Sequence, residues 1–546
     1  MVATSPHFAS IASVYEGDSA SAAWILCDRH DPSTVAYRVV DEDLLREVTY
    51  GELREDSSRL AAALKDLGVG PGTRVATLLG KGPELITTMV ATWRLGAVYV
   101  PLFTAFASPA IAYRLRTAGA EVVVTDAAQR PKLTTDDGLP LGEWKVVVVG
   151  DDVLASSDIP YRELTDRAPS TFVEPYPQGP DGAFVHIFTS GTTGSPKGVI
   201  HPLRHIATWH SYLTHGLGVT ADDVYWCAAD PGWAYGLYSG VVSPLAAGVG
   251  TILQTGSFEP RRAWSLITRM GVTNLTAAPT VYRAIRNAYP AVPAPTVLRR
   301  LSSAGEPLTP EVNEWAEKEL ALMVHDHFGQ TEVGMVFANH HHPELSRPIV
   351  AGSMGHPLPG WSATILAEDG DEELPAGEVG RVALDASSPA MTFRSYQDPS
   401  KTSSRFAADG RYYLLGDLGS KDEAGAFRFS ARDDDVIIMA GYRIGPFEVE
   451  SVLSTHPAVA ESAAVAAPDA ERGEVLEAFV VLRDGYVSGP ELASDIQAFV
   501  KRNYAAHAYP RTVHFVTELP KTPSGKIQRF VLRQRRRDEY DAAAAS

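Results

Sequence analysis

Short apolar runs rich in β-branched residues, each followed by a stretch with helical spacing, recur through the first part of the chain. Arg74 to Leu79 (RVATLL) follows the turn residues Gly70, Pro71 and Gly72. A helical stretch from Glu84 to Arg94 leads into a strand at Val98 to Leu102. A second helix begins near Pro109 and gives way to EVVVT at Glu121 to Thr125, and Val146 to Val149 repeats the theme. A strand that is apolar at nearly every position has no wet face, so it belongs in a sheet covered by helices. Strands joined through helices run parallel, because the crossover returns the chain to the same end of the sheet. The pattern predicts an α/β fold of layered sheets and helices. No period of about 20 to 50 residues repeats, which argues against solenoids and propellers.

From about Asp369 to Ser430 the character changes. The segment is rich in Gly, Asp and Pro, with short strands in GEVGRVAL, RYYLLGDLG and GAFRFS, and reads as a small, mostly antiparallel β subdomain. After Arg432 the pattern resets to a helix at Pro446 to Leu453, strands at Ala463 to Ala467 and Ala478 to Leu482, and a helix at Pro490 to Asn503. A chain of 546 residues exceeds one ordinary domain. The expected division is a large N-terminal domain, residues 1–433, of layered α/β subdomains plus the antiparallel β subdomain, then a small α+β domain, residues 434–546.

The formal net charge of −18 argues against a general binder of nucleic acid or of membrane surfaces, whose phosphates would be repelled. The two cysteines, Cys27 and Cys227, fit neither a metal-ligand spacing nor a disulfide framework, and a reducing cytoplasm suits such usage. The first residues lack a basic, then apolar, leader pattern. The apolar stretch Ile86 to Phe103 is broken by Arg94 and Pro101 and reads as helix then strand, not as a bilayer span. The Arg-rich segment past Arg533 reads as a solvated terminus. In Asn339-His340-His341-His342-Pro343, adjacent histidines cannot all face one metal, and the run reads as a loop.

The strongest local signal is IFTSGTTGSPKGV, Ile187 to Val199. An apolar strand runs through Thr189 into a loop of Ser190, Gly191, Thr192, Thr193, Gly194 and Ser195, followed by Lys197. Glycines let backbone N–H groups turn inward, hydroxyls add donors, and the lysine adds charge, so the loop can wrap phosphate oxygens. It is not a Walker A loop, because Gly198 stands where Ser or Thr is needed. Five more segments follow in order: SSAGEP at Ser302 to Pro307, HDHFGQTEVG at His325 to Gly334, YYLLGDLG at Tyr412 to Gly419, RDDDVIIMAGYRIGPFE at Arg432 to Glu448, and PKTPSGKIQR at Pro520 to Arg529.

Together these segments resemble the adenylate-forming superfamily of acyl-CoA synthetases, peptide-synthetase adenylation domains and luciferases, over nearly the whole chain from Tyr50 to Arg529. CAADPGWAYGLYSGVVSPLAAGV (Cys227 to Val249) and GYRIGPFEVES (Gly441 to Ser451) are most similar to acetyl- and medium-chain acyl-CoA synthetases. The resemblance implies an ATP-dependent acid–thiol ligase. Such an enzyme joins a small carboxylic acid to AMP, then passes the acyl group to coenzyme A, with Mg2+ as cofactor, at a cleft between a large domain and a mobile C-terminal one.

It also implies roles. The loop from Thr189 to Lys197 holds the ATP phosphates. Phe328 stacks on adenine, opposite Gly305, Glu306 and Pro307, while Asp326 accepts from the adenine amino group. Gln330 belongs to the same nucleotide set. Thr331 donates to the α-phosphate and Glu332 binds Mg2+, a hard cation that takes oxygen ligands. Asp417 accepts from both ribose hydroxyls, Arg432 supports the ribose, and Arg443 approaches the phosphates. Lys526, with Glu332 and Thr331, carries catalysis, since an ammonium stabilises charge that builds as the carboxylate attacks the α-phosphate. Asp434 is the hinge, and Gly441 and Tyr442 line the CoA tunnel. Ala431 replaces the glycine usual before Arg432.

Acetate-specific relatives close the acyl pocket with a tryptophan where this chain has Gly329, and Ala234 and Ala304 stand where bulkier aliphatic residues are common. Trp233 forms a wall, and Tyr235 either refills part of the space with its ring or adds a polar end. Each methylene buried in the freed room is worth about 0.8 kcal/mol, so the expected acid is larger than acetate: medium-chain, branched or aromatic. The alternative is an adenylation enzyme that loads an acid or amino acid onto a carrier-protein thiol, with Asp230 near the position that grips an α-amine. A non-catalytic nucleotide sensor would lack Lys526, Glu332 or Asp417, and all three are present.

Overall fold

A computed structural model describes residues 6–41, 45–134, 142–150, 155–169, 171–189, 196–293, 295–432, 435–439, 442–469, 473–504, 508–522 and 525–544. The expected α/β architecture is what the chain adopts. The apolar runs form one seven-stranded sheet among the described residues, in the order Ile159–Pro160, Lys145–Val149, Ala120–Asp126, Arg74–Leu78, Val98–Pro101, Ala183–Thr189, Lys197–Pro202. All neighbours are parallel except the last pair, a hairpin in which Thr189 faces Lys197. Val75, Leu78, Val98, Val100, Val123 and Val124 are fully buried, as strands without a wet face require. The helices Pro83–Arg94 and Ser108–Ala118 join these strands, each with a proline in its first turn, where the missing N–H costs nothing.

A second sheet, of thirteen strands among the described residues, begins at the antiparallel pair Val35–Val40 and Leu45–Thr49. It continues through the parallel strands Thr251–Gln254, Tyr225–Cys227, Asn274–Ala277, Arg300–Ala304 and Val324–Gln330. Beyond these every pairing is antiparallel, through Gly334–Ala338, Ser353–Pro357, Phe427–Arg432, Tyr412–Lys421, Val379–Asp385 and Ala363–Leu366. The Gly- and Asp-rich segment is thus antiparallel, as its composition predicts, but its strands continue the large sheet through Ser353–Pro357.

The C-terminal part has its own apolar core, including Val449, Leu453, Ala464, Ala478, Val480, Ile496 and Val500. The strands Val459–Asp469 and Gly473–Leu482 pair antiparallel, with Thr512–Phe515 parallel beside the second. The helices Pro446–Ser454 and Pro490–Asn503 fall where the sequence put them. No helix among the described residues is long and apolar enough to cross a membrane.

Candidate active site

Ligand sites of parallel sheets form at the carboxyl ends of the strands. Here Ala183–Thr189 ends at the glycine- and hydroxyl-rich loop, Arg300–Ala304 ends at Gly305-Glu306-Pro307, and Val324–Gln330 ends at Thr331-Glu332. Residues Ser190, Gly191, Thr192, Thr193, Gly194, Asp434 and Gly441 lie outside the described residues. Tyr442 and Arg443 are backbone members of the strand Tyr442–Ile444.

The loop's far anchor, Lys197, is drawn towards the large sheet by backbone pairing. Val199 bridges Tyr396, and Gln397 N donates to the Gly198 carbonyl at 2.8 Å. That pairing sets the Lys197 ammonium 5.0 Å above the Tyr396 ring. The Tyr396 hydroxyl donates to Glu332 Oε1 at 2.6 Å and accepts from Arg405 Nε at 3.0 Å. Arg405 also approaches Glu332 Oε1 directly, at 3.6 Å. The same strand, Lys197–Pro202, supplies His201, whose Nε2 donates to the Thr331 carbonyl at 2.7 Å. Thr331 and Glu332 are therefore fixed from two sides.

A second set of contacts ties this group to Asp417. The Leu415 carbonyl accepts from Arg405 Nη1 at 3.0 Å and from Gln330 Nε2 at 2.6 Å. Gln330 Nε2 also donates to Asp417 Oδ2 at 2.7 Å, and Arg432 Nη1 donates to Oδ1 at 3.2 Å. Asp417 and Arg432 face each other across the strands Tyr412–Lys421 and Phe427–Arg432. Gly416 beside them has φ +69°, and an added Cβ would stand 2.7 Å from Arg405 Nη1. A side chain there would meet both a disfavoured backbone and an occupied space.

The small lobe closes the group. Thr522 N donates to the Lys526 carbonyl and Gly525 N to the Thr522 carbonyl, each at 2.8 Å, so Lys526 rides on a tight loop. The loop tip leans on the large lobe: a Cβ built on Gly525 would lie 3.5 Å from Thr280 Cγ2 and 3.8 Å from Glu306 Oε1. Arg529 beyond it is pinned by Glu450, with Nε to Oε1 at 2.9 Å, and by Asp435.

Loss of contact with water, modulated by neighbouring charges, shifts the titratable groups of the site. Removal from bulk water lowers the Lys526 pKa, opposed first by the nearby Glu306 carboxylate and also by Asp417 and Glu332. Lys197 is lowered by the same loss of water and by Arg405, Lys401 and Arg432, with Glu332 opposing. Burial raises Glu306, against the pull of Arg283 at 3.0 Å. Asp326, enclosed by protein, is pushed up to about 8 by burial. It shares a strand face with Phe328, two residues on. Lys197, Arg405 and Arg432 thus meet the carboxylates of Glu332 and Asp417, and Lys526 lies within electrostatic reach of Glu306, Asp417 and Glu332, an arrangement able to hold a polyanion and a hard cation. Glu332, buried and offering only oxygen, fits a Mg2+ ligand. Tyr396 and Arg405 escaped the sequence reading. The only signal was an unassigned run, RSYQDPSKTSSR, between two recognised segments.

Ala234, Tyr235, Ala304, Phe328 and Met335 share one apolar cluster, while Trp233 packs 5.3 Å from Phe103 and 5.7 Å from Phe106. The room expected in front of Gly329 is not open. A Cβ there would lie 2.5 Å from the Gly334 carbonyl oxygen and 2.6 Å from Met335 Sδ, because a bulge after Phe328 sets Gly329 opposite Met335. A long, unbranched methionine takes the space that loss of a tryptophan was expected to free.

Residues 27–396 match the AMP-binding enzyme family, and residues 448–526 match the AMP-binding enzyme C-terminal domain. An acetyl-coenzyme A synthetase of Bacillus subtilis (strain 168) is 37% identical over 524 residues, covering 94% of this chain and 90% of the relative. The solved acyl-CoA synthetase of Brucella canis is 41% identical with a TM-score of 0.76, covering 97% of each chain. The anthranilate CoA ligase AuaEII, solved with anthranoyl-AMP, is 27% identical with a TM-score of 0.86, covering 97% of this chain and 99% of that one. The chain belongs to the AMP-binding enzyme family, the adenylate-forming enzymes that its spaced motifs resemble.

Proposed function

We propose that the protein activates a carboxylic acid larger than acetate as its acyl-adenylate and then forms the CoA thioester, releasing AMP and pyrophosphate. The broader class follows from the family: an AMP-forming acid–thiol ligase of the acyl-CoA synthetase kind, which uses ATP, Mg2+ and coenzyme A. What supports the mechanism is the contact chain that links Lys197, Tyr396, Glu332, Arg405, Gln330 and Asp417, with Lys526 in electrostatic reach of Glu332 and Asp417.

In this reading Asp417 and Arg432 hold the ribose, while Phe328, Asp326 and the Gly305–Pro307 turn hold adenine. The loop from Thr189 to Lys197 and Arg443 hold the phosphates. Glu332 would hold Mg2+, which when bound would neutralise charge on the phosphates. Tyr396 and Arg405 orient that carboxylate. Lys526 donates to the oxygens of the transferring phosphoryl group as the acid's carboxylate attacks, when their charge is greatest. The loop tip against Glu306 matches the first half-reaction. For the second, residues 434–546 turn about Asp434, withdraw Lys526, and bring Gly441 and Tyr442 to the thiol's path. The enzyme works in the cytoplasm, apart from nucleic acid and membrane.

An acid larger than acetate is supported by the small Ala234 and Ala304 and by likeness to a ligase for anthranilate, an aromatic acid. Gly329 adds less to this than its identity suggests, since Met335 fills the adjacent space. Against the carrier-protein reading, Asp230 Oδ1 already accepts from Gly232 N at 2.8 Å, and the carboxylate lies in the field of the buried Lys81. A carboxylate so engaged is poorly placed to grip an amine. ATP–pyrophosphate exchange across acetate, alkanoates and benzoates, followed by a thioester assay with CoA, tests the proposal. Exchange with larger acids and CoA-dependent thioester is expected; exchange with acetate alone would overturn the size argument.

A further inference from the structure

Glu332 sits in the turn of residues 331–333, between the strands Val324–Gln330 and Gly334–Ala338. That turn rests on a closed group of four rings drawn from elsewhere in the chain. His201 and His205 stack with centroids 4.0 Å apart, and Trp209 and Tyr238 stack at 4.9 Å, within 8° of parallel. Hydrogen bonds join the two stacks: Trp209 Nε1 to His205 Nε2 at 3.0 Å, and the Tyr238 hydroxyl to His201 Nδ1 at 2.7 Å. All four side chains are buried. The turn meets this group at both of its ends. The Thr331 carbonyl oxygen lies 2.7 Å from His201 Nε2. At the other end, Gly334 has φ +79°, and a Cβ built on it would stand 3.0 Å from both Thr208 Oγ1 and Trp209 Nε1.

Each hydrogen in the group has one place. A carbonyl oxygen only accepts, so His201 Nε2 carries a proton. Burial keeps the ring neutral, with its pKa lowered to about 3, so Nδ1 is bare and receives the Tyr238 hydrogen. An indole N–H only donates, so His205 Nε2 is bare, and His205 Nδ1 donates to Thr392 Oγ1 at 2.7 Å. Thr392 lies four residues before Tyr396, whose hydroxyl donates to Glu332 Oε1. The ring group therefore reaches Glu332 twice, from beneath its turn and through the segment that carries Tyr396. Moving the His201 proton to Nδ1 would set a bare nitrogen against the Thr331 oxygen, and the Tyr238 hydrogen opposes that move.

We propose that His201 is a positioning residue for adenylate formation: its Nε2–H holds the Thr331 carbonyl, and with it the turn that aims Glu332, while Tyr238 keeps the proton on that nitrogen. The proposal rests on the acyl-CoA synthetase reading and deepens it by adding a residue that serves one half-reaction. In that reading Glu332 acts on phosphates that leave as pyrophosphate. Once they have left, thioester formation no longer depends on its aim.

The test separates the two half-reactions in the full-length enzyme. It uses the alkanoate or benzoate that the wild type exchanges fastest, and the acyl-adenylate synthesised from that acid. His201→Phe keeps a ring against His205 and removes the donor. Pyrophosphate exchange is expected to fall about tenfold, the effect of a buried carbonyl left without its partner, while thioester formation from saturating acyl-adenylate and CoA stays within about twofold of wild type. His201→Gln, whose amide nitrogen can reach the same oxygen, should recover most of the exchange. Tyr238→Phe frees the ring proton to change nitrogens and should show the same split at smaller size. A merely structural role would lower both half-reactions alike and give glutamine no advantage over phenylalanine.

Equal loss in both half-reactions, unchanged exchange in a folded His201→Phe protein, or no recovery in His201→Gln overturns the proposal while the ligase reading stands. Wild-type exchange with no acid at all removes both. If the melting curve shows that His201→Phe does not fold, Tyr238→Phe decides: a split between the half-reactions supports the proposal, and its absence overturns it.

Discussion

Replacing Tyr396 by phenylalanine tests the site at its most connected point. The ring that carries the Lys197 contact stays, and only the hydroxyl is lost. That hydroxyl donates to Glu332 Oε1 at 2.6 Å and accepts from Arg405 Nε at 3.0 Å, with Tyr396 only 1% and Glu332 5% exposed. A hydrogen bond to a charged group contributes roughly 1.5 to 3 kcal/mol. The loss is softened here because Arg405 Nη2, 3.6 Å from the same carboxylate oxygen, can move in and pair with it directly. A net cost of about 2 kcal/mol is expected, roughly a 30-fold change in an equilibrium constant. The direct ion pair then competes with Mg2+ for the Glu332 carboxylate. Exchange rate measured against free Mg2+ at saturating ATP and acid should move its midpoint about tenfold higher, the equivalent of 1.4 kcal/mol of competition. The variant should also unfold at lower denaturant concentration. An unchanged Mg2+ midpoint with reduced stability would mean the hydroxyl serves packing alone, and would refute the claim that it orients a metal-binding carboxylate.

Two further outcomes are expected. Lys526→Ala should slow adenylate formation by roughly 10²- to 10³-fold, by analogy with loss of one transition-state donor, while supplied acyl-adenylate is still converted to thioester; equal loss in both half-reactions would remove the argument for domain rotation. Asp326, whose carboxyl is pushed up to about 8 by burial from an ordinary 3.8, keeps its proton in the fold where the unfolded chain has released it. Its contribution to stability therefore falls as pH rises from about 4 towards 8 and is level beyond. Asp326→Asn cannot ionise, so its melting-temperature gain over wild type should grow between about pH 5 and pH 8, and a gain that shrinks with pH would contradict the burial assigned to this group.

Much of this fold was legible because its signals are local. Val122 to Val124 and Val146 to Val148 are apolar at every position, which only a sheet covered on both faces accommodates. The helix Pro490–Asn503 begins with a proline and shows an apolar stripe ending at Val500. The join of the antiparallel strands to the large sheet was not legible. It depends on Ser353–Pro357 pairing with Gly334–Ala338 on one side and Phe427–Arg432 on the other, and no short window of sequence records such partners.

The site divides along the same line, and the division has a physical cause. The glycine- and hydroxyl-rich loop, an acidic turn and a lysine in a Ser-Gly-Lys segment stand out as motifs because their residues are adjacent along the chain. Tyr396 and Arg405 matter only because Tyr396 bridges Val199, which brings a remote tyrosine beside Lys197. Gly329 was misread for the same reason. A glycine announces a missing side chain, but whether that leaves a void depends on which neighbour its Cβ would have met, here Met335 across a bulge. Tyr235 is the sharpest case. Its identity is plain in the sequence, yet whether it gives or takes a hydrogen is decided at the backbone carbonyl of Asn339, through His327 and Tyr212. Sequence states which polar groups a chain contains; the direction in which they point their protons belongs to the network.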